Sequence, residues 1–197
     1  RAFAAIVSEA FRLPAPDRAE ELSGEAGAAY AEGMALVRGS LDGGAAAMPL
    51  FEKAVTLAPR SALPYAGLAE AQLQRFRSER GAWLDQAEGA IAKAQSLDSD
   101  SVPVLIGASA VAQERGLYED AIRFSSRAVE LDSSNSEAWR LLAVSFERSN
   151  QPEQAVATYE RAIGITSTGS GNLPSTSTSL VSSAIQTNLR ATAATIF

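Results

Sequence analysis

One period organises this chain. Ala54, Ala94, Ala128 and Ala162 recur at spacings of 40, 34 and 34 residues, and Ala87, Ala121 and Ala155 at 34 and 34. Leu105 to Trp139 and Ala108 to Leu142 repeat at the same 34-residue step. A fixed period of this length marks a supersecondary unit that cannot bury its apolar face alone and must stack on its neighbours. The wording around these anchors repeats too, in "PLFEKAVTLAPRSALPYAGLA", "EGAIAKAQSLDSDSVPVLIGA", "EDAIRFSSRAVELDSSNSEAWRLLA" and "EQAVATYERAIGI". Each copy has two runs with apolar residues at three- and four-residue steps and a turn between them, which predicts two amphipathic helices per repeat. In the last copy the first helix is expected near 136–148, with Trp139, Leu142, Ala143 and Phe146 on one face. The turn is Ser149-Asn150-Gln151-Pro152, and the second helix turns Ala155, Tyr159 and Ala162 back. Alanine makes up 39 of the 197 residues against 7% aromatics, so small side chains at matched positions let helices approach closely.

Composition closes off several function classes. With 17 basic and 23 acidic residues the net charge is -6, and only Lys53 and Lys93 are lysines. Duplex DNA and anionic membranes need a basic face and are not expected partners. The chain has no cysteine and no histidine, which excludes disulfides, Cys/His zinc sites, cysteine nucleophiles and histidine-based triads. No run of about 18 apolar residues is present, so no membrane span is expected. The chain opens on Arg1 without a signal-peptide pattern, as a processed form or an excised piece would.

The repeated residues resemble the tetratricopeptide repeat family. Trp139, Leu142, Ala143, Phe146, Ala155, Tyr159 and Ala162 match its pattern in order, and Leu105, Ala108, Gly116, Tyr118, Ala121 and Ala128 match it one repeat earlier. Tyr65, Leu68, Ala69, Ala87, Ile91 and Ala94 match with a six-residue insertion in a loop "RFRSERGAW", and Tyr30, Ala47, Phe51, Ala54 and Pro59 give a looser first copy. The closing proline of the pattern survives only as Pro59, with Ser99, Ser133 and Ser167 in its later places. The resemblance implies an all-α fold: a right-handed α-solenoid of about four helix-turn-helix repeats over 24–165.

Two segments fall outside the repeats. Residues 1–23 contain an apolar stripe (Phe3, Ile6, Val7, Ala10, Phe11) that ends at Pro14 and Pro16, either a capping helix or the second helix of a truncated repeat. Residues 166–179 are dominated by Ser, Thr and Gly, the composition of a flexible linker or of a stalk bearing O-linked glycan. They lead into 180–197, whose only side-chain charge is Arg190. Its Leu180, Val181, Ile185, Leu189, Ile196 and Phe197 suit either a helix or an extended strand and mark a docking segment rather than a solubilising cap.

Catalytic chemistry is sparse. "GSGN" at 169–172 lacks the lysine and the strand-to-helix frame of a phosphate loop. The acidic pair Glu119 and Asp120 suits a helix start, and "LDSDS" at 97–101 reads as a repeat turn short of calcium ligands. Arg75, Arg77 and Arg80 form the one basic cluster, expected in a solvated loop, and Trp83 and Trp139 are expected in the core. No cofactor and no metal are expected.

The family resemblance implies that the first helices of successive repeats line a concave groove for a peptide. Carried over, the groove comprises Ala28, Ala31 and Ala35, then Ala66, Gly67, Glu70 and Leu73, then Ile106, Gly107, Ala110 and Glu114, and last Arg140, Val144 and Glu147. Family members that grip a C-terminal carboxylate use Lys, Asn and Arg here, and of these only Arg140 has a counterpart. The small groove residues suit either a closely approaching partner backbone or ordinary helix packing. The expected function is a non-catalytic protein–protein interaction scaffold that associates with copies of itself, head to tail, through apolar ends and groove, extending into a filament where the contact does not close. The alternative is a peptide-binding adaptor domain from a larger bacterial regulator or secretion protein. The compartment stays open, with the cell surface favoured for a filament.

Overall fold

The computed structural model describes residues 22, 24–40 and 42–169, with side chains to 165. The N-terminal helix expected within 1–23 and the segment 180–197 lie outside the described residues. Among these are eight helices and no strand: α1 (Gly24–Gly39), α2 (Gly43–Leu57), α3 (Leu63–Glu79), α4 (Trp83–Leu97), α5 (Val102–Arg115), α6 (Tyr118–Leu131), α7 (Ser136–Arg148) and α8 (Pro152–Gly169). They pair as four hairpins. Each first helix (α1, α3, α5, α7) also touches the first helices of the adjacent hairpins, whereas second helices touch only first helices. The first helices therefore form the inner layer of an all-α solenoid and the second helices its outer layer.

The repeating alanines lie at the helix contacts. Ala54, Ala87, Ala94, Ala121, Ala128 and Ala155 are 0% exposed and Ala162 8%. Larger side chains fill the gaps between them: Phe51 against Met34, Val37, Ala47 and Ala71, and Leu73 with Leu84, Ile91 and Val111. A buried polar seam ties the last two hairpins, since Gln113 Nε2 donates to Leu141 O and to Ser145 Oγ at 2.8 Å each.

The turns recur with the period. Gly116 and Asn150, 34 residues apart, both adopt the left-handed conformation (φ 76° and 61°). The next residue in each turn donates back to close it, Leu117 N to Ala112 O and Gln151 N to Phe146 O. Asp98 and Asp132 end α4 and α6, and each carboxylate accepts from the backbone N–H two residues on. "LDSDS" is thus a turn, as its repeat position implied. Asn135 caps α7 by accepting from Ala138 N, and Pro64, Pro103 and Pro152 sit in first helical turns, where a missing N–H costs nothing.

Three local expectations need correction. The stretch "RFRSE", expected in a loop, instead extends α3 to Glu79, and only residues 80–82 turn. Arg75, Arg77 and Glu79 are good helix formers, and Arg75 pairs with Glu79 one turn on at 2.6 Å. At the other end α8 continues to Gly169, four residues into the stretch expected as linker. Trp139 is half-buried rather than core: its Nε1 donates to Ser133 O at 2.9 Å, tying α7 to the turn before it, and Arg161 lies 5.8 Å from its ring. Trp83 is likewise half-buried, beneath the Arg75 guanidinium.

Candidate functional site

The inner layer encloses a cavity of about 630 Å³. Each first helix contributes one stripe at three- and four-residue steps: Tyr30, Met34 and Arg38 from α1; Ala66, Gly67, Glu70, Leu73 and Arg77 from α3; Pro103, Ile106, Gly107 and Ala110 from α5. Helix α7 contributes only its first turns, with Ser136, Glu137, Arg140 and Leu141, and the preceding turn adds Asp132, Ser134 and Asn135.

Eight of the fourteen expected groove residues line this cavity: Ala66, Gly67, Glu70, Leu73, Ile106, Gly107, Ala110 and Arg140. The other six do not. Ala28, Ala31 and Ala35 are exposed on α1 away from it, because Tyr30, not Ala31, occupies the position of Ala66, Ile106 and Arg140. Glu114 leaves the cavity wall to accept from Arg77 at 2.8 Å, and Glu147 accepts from the Tyr159 hydroxyl at 2.8 Å. Val144 lies beyond the first turns of α7 that reach the cavity. The small residues Gly67 and Gly107 are explained from behind the groove. A Cβ on Gly67 would collide with the Phe51 ring, and one on Gly107 with Ile91 Cδ1, so both glycines admit outer-helix side chains.

Charge in the groove is mixed and mostly internally paired. Arg140 donates two bonds to the Glu137 carboxylate, 2.6 and 2.8 Å, and the Asp132 carboxylate accepts from Ser134, whose hydroxyl holds it below its ordinary pKa. Arg77 is paired with Glu114. Two charges stand apart: among the described residues, Arg38 and Glu70 make no hydrogen bond and no ion pair. Burial pushes the Glu70 carboxyl above its ordinary pKa; the Glu137 charge adds to this, while Arg38 and Arg77 oppose it. Burial also raises the phenol of Tyr30, reinforced by the Glu70 charge. The Tyr30 ring itself is fixed against Phe51, with centroids 5.8 Å apart.

Sequence reasoning missed Tyr30, Met34, Arg38, Arg77, Pro103, Leu141 and the stretch from Asp132 to Glu137. Only the period could have found the α1 residues, had the first copy been placed one residue earlier. Three arginines and Asn135 border the cavity, more than the single Arg140 expected. Among the described residues no acidic cluster is arranged to hold a metal ion, and no helix is long and apolar enough to cross a membrane.

Comparison with known proteins agrees with this architecture. The family model described as "Tetratricopeptide repeat" matches residues 136–168, the hairpin of α7 and α8. No curated protein sequence matches the chain. Among solved structures, the chain is similar to a thermophilic tetratricopeptide-repeat protein of Thermus thermophilus, at TM-score 0.64 and 18% identity, over 81% of this chain and 80% of that one. It is also similar to PilF of Pseudomonas aeruginosa, at TM-score 0.57 and 24% identity, over 75% of this chain and 62% of that one. A third likeness is to MamA of Desulfovibrio magneticus, at TM-score 0.53 and 14% identity, over 73% and 77%. At these identities the structures speak to fold. The match over 136–168 marks one tetratricopeptide repeat, and the four stacked hairpins have the fold of the tetratricopeptide-repeat structures.

Proposed function

We propose that the chain is a non-catalytic scaffold that assembles copies of itself head to tail, its concave groove taking the segment 180–197 of the next copy. The observation that carries this reading is the cavity of about 630 Å³ on the inner layer, walled by apolar Met34, Leu73, Ile106 and Ala110 and holding Glu70, an acid with no hydrogen bond or ion pair among the described residues. The segment supplies what such a groove takes: large apolar side chains with one charge in eighteen residues. Burying each such side chain is worth roughly 1.5–3 kcal/mol. The ten residues between α8 and position 180, as a flexible linker, would reach roughly 17 Å toward a neighbouring copy. Each copy offers a groove and a segment at different places, so the contact is heterologous, and one that does not close extends into a filament.

The test is molar mass against concentration by light scattering, with electron microscopy of the assembled fraction. Mass should rise with concentration for the full chain and stay at one copy when 180–197 is removed, with helicity unchanged. Equal assembly of both chains would refute the proposal. A second reading, a peptide-binding adaptor, is favoured by the charged border of Arg38, Arg77 and Arg140. It would show as a chain that remains single at every concentration.

A further inference from the structure

We infer that Glu70 is the receptor for the one cation of the docked segment, and that this cation is Arg190 of a second copy. The inference rests on the groove-and-segment reading above and adds the contact that sets its specificity.

Glu70 is the exception among the carboxylates of the groove. Glu137 has Arg140, and Asp132 has Ser134 and Asn135, yet the half-buried Glu70 has no hydrogen bond and no ion pair among the described residues. The Tyr30 hydroxyl beside it makes no described bond either. The Arg38 and Arg77 charges offset the burial of this carboxylate only in part, so a cation brought into contact with it is favoured more than at an exposed site. Burial has already raised its pKa, the signature of a carboxylate short of compensation. The opposite lack exists in 180–197, where Arg190 would enter an apolar groove with no acid of its own segment to accompany it. A guanidinium presents five donors in a planar fork, enough to engage both Glu70 oxygens and the Tyr30 oxygen together. Each group thus completes the other, since Arg77 of the same helix is already held by Glu114 and Arg38 forms no ion pair with Glu70 among the described residues.

The test is a charge exchange in the full chain, read as the dissociation constant for self-association by sedimentation equilibrium. Glu70→Arg alone and Arg190→Glu alone should each weaken association about tenfold or more. The combined Glu70→Arg/Arg190→Glu chain should recover most of the loss, which a general charge effect would not do. Glu70→Gln, which keeps the side-chain shape, should weaken association in the same direction, and unchanged helicity and melting would certify each variant as folded. Association that is indifferent to both single exchanges, in a chain that loses association when 180–197 is removed, overturns the Glu70–Arg190 contact and leaves the scaffold reading standing. A chain that is single at all concentrations overturns both.

Discussion

Phe51 of the outer layer occupies the space that a Cβ on Gly67 of the inner layer would need. Such an atom would stand 2.9 Å from Phe51 Cζ and closer still to Cε1, and Phe51 is itself 0% exposed. The first hairpin is therefore locked to the second through a missing side chain. At Gly107 the corresponding neighbour is the free end of Ile91, which can rotate away. Gly67→Ala is expected to cost about 1–3 kcal/mol by overpacking. Gly107→Ala should be close to neutral, because an alanine gains up to about 1 kcal/mol over glycine in a helix interior. Urea denaturation of the two variants checks the difference, and equal costs would contradict the packing described.

Ala128 sits at the repeat position where α6 meets its neighbours, 0% exposed, in a cluster with Leu105 and Ala138. Ala128→Leu should destabilise by about 1–3 kcal/mol. Ala92→Leu, on the exposed face of α4, should change stability by no more than about 0.5 kcal/mol. Thermal melts of both variants test whether the 34-residue register marks the contact.

Gln113 bridges α5 and α7 through two bonds at 2.8 Å, in a site with little water. Gln113→Ala should cost about 1–3 kcal/mol, by leaving buried acceptors short of a donor and opening a cavity. Loss of amide-exchange protection should concentrate in α7 and α8. Protection lost evenly across all hairpins would contradict the seam's role in docking the last one.

Glu70 also makes stability depend on pH. Its folded carboxyl is raised above the unfolded value, chiefly by burial, with Glu137 adding and Arg38 and Arg77 opposing. The folded state therefore binds more protons, and the stability linked to this group is present below the ordinary carboxylate range and lost as pH rises through the raised value. Glu70→Gln should accordingly gain stability relative to the native chain as pH rises from about 4 to about 7. Denaturation at a series of pH values reads this directly, and a constant difference would contradict it.

The second half of the solenoid was legible because its period is clean. The 34-residue steps placed Ala121, Ala128, Ala155 and Ala162 at helix contacts, and the last hairpin falls at 136–148 and from 152, as the apolar spacing indicated. The first copy is looser. Taking Tyr30 as the counterpart of Tyr65 and Trp139 rotated the expected inner face of α1 by one residue, onto Ala28, Ala31 and Ala35, because a helix dominated by small residues offers little pattern to fix its phase. The insertion at 75–80 was misplaced for a different reason: inserted residues that favour helix lengthen an existing helix before they form a loop. The glycines of the groove invited a ligand explanation, whereas their cause, Phe51 and Ile91, lies one layer out and far away in sequence. The isolation of Glu70 could not be read at all, since it depends on which neighbours pair with one another.

In the proposed assembly the segment of one copy occupies the groove of another. A photoreactive benzoylphenylalanine at Ile106, on the α5 wall, captures whatever lies in the groove. In an assembled mixture of copies at natural isotope abundance and copies labelled with nitrogen-15, mass spectrometry identifies the copy from which a captured peptide came. The proposed assembly should give crosslinks from position 106 to peptides of 180–197, with mixed-isotope pairs abundant. Crosslinks confined to same-isotope pairs, or a groove that captures nothing from 180–197, would contradict it.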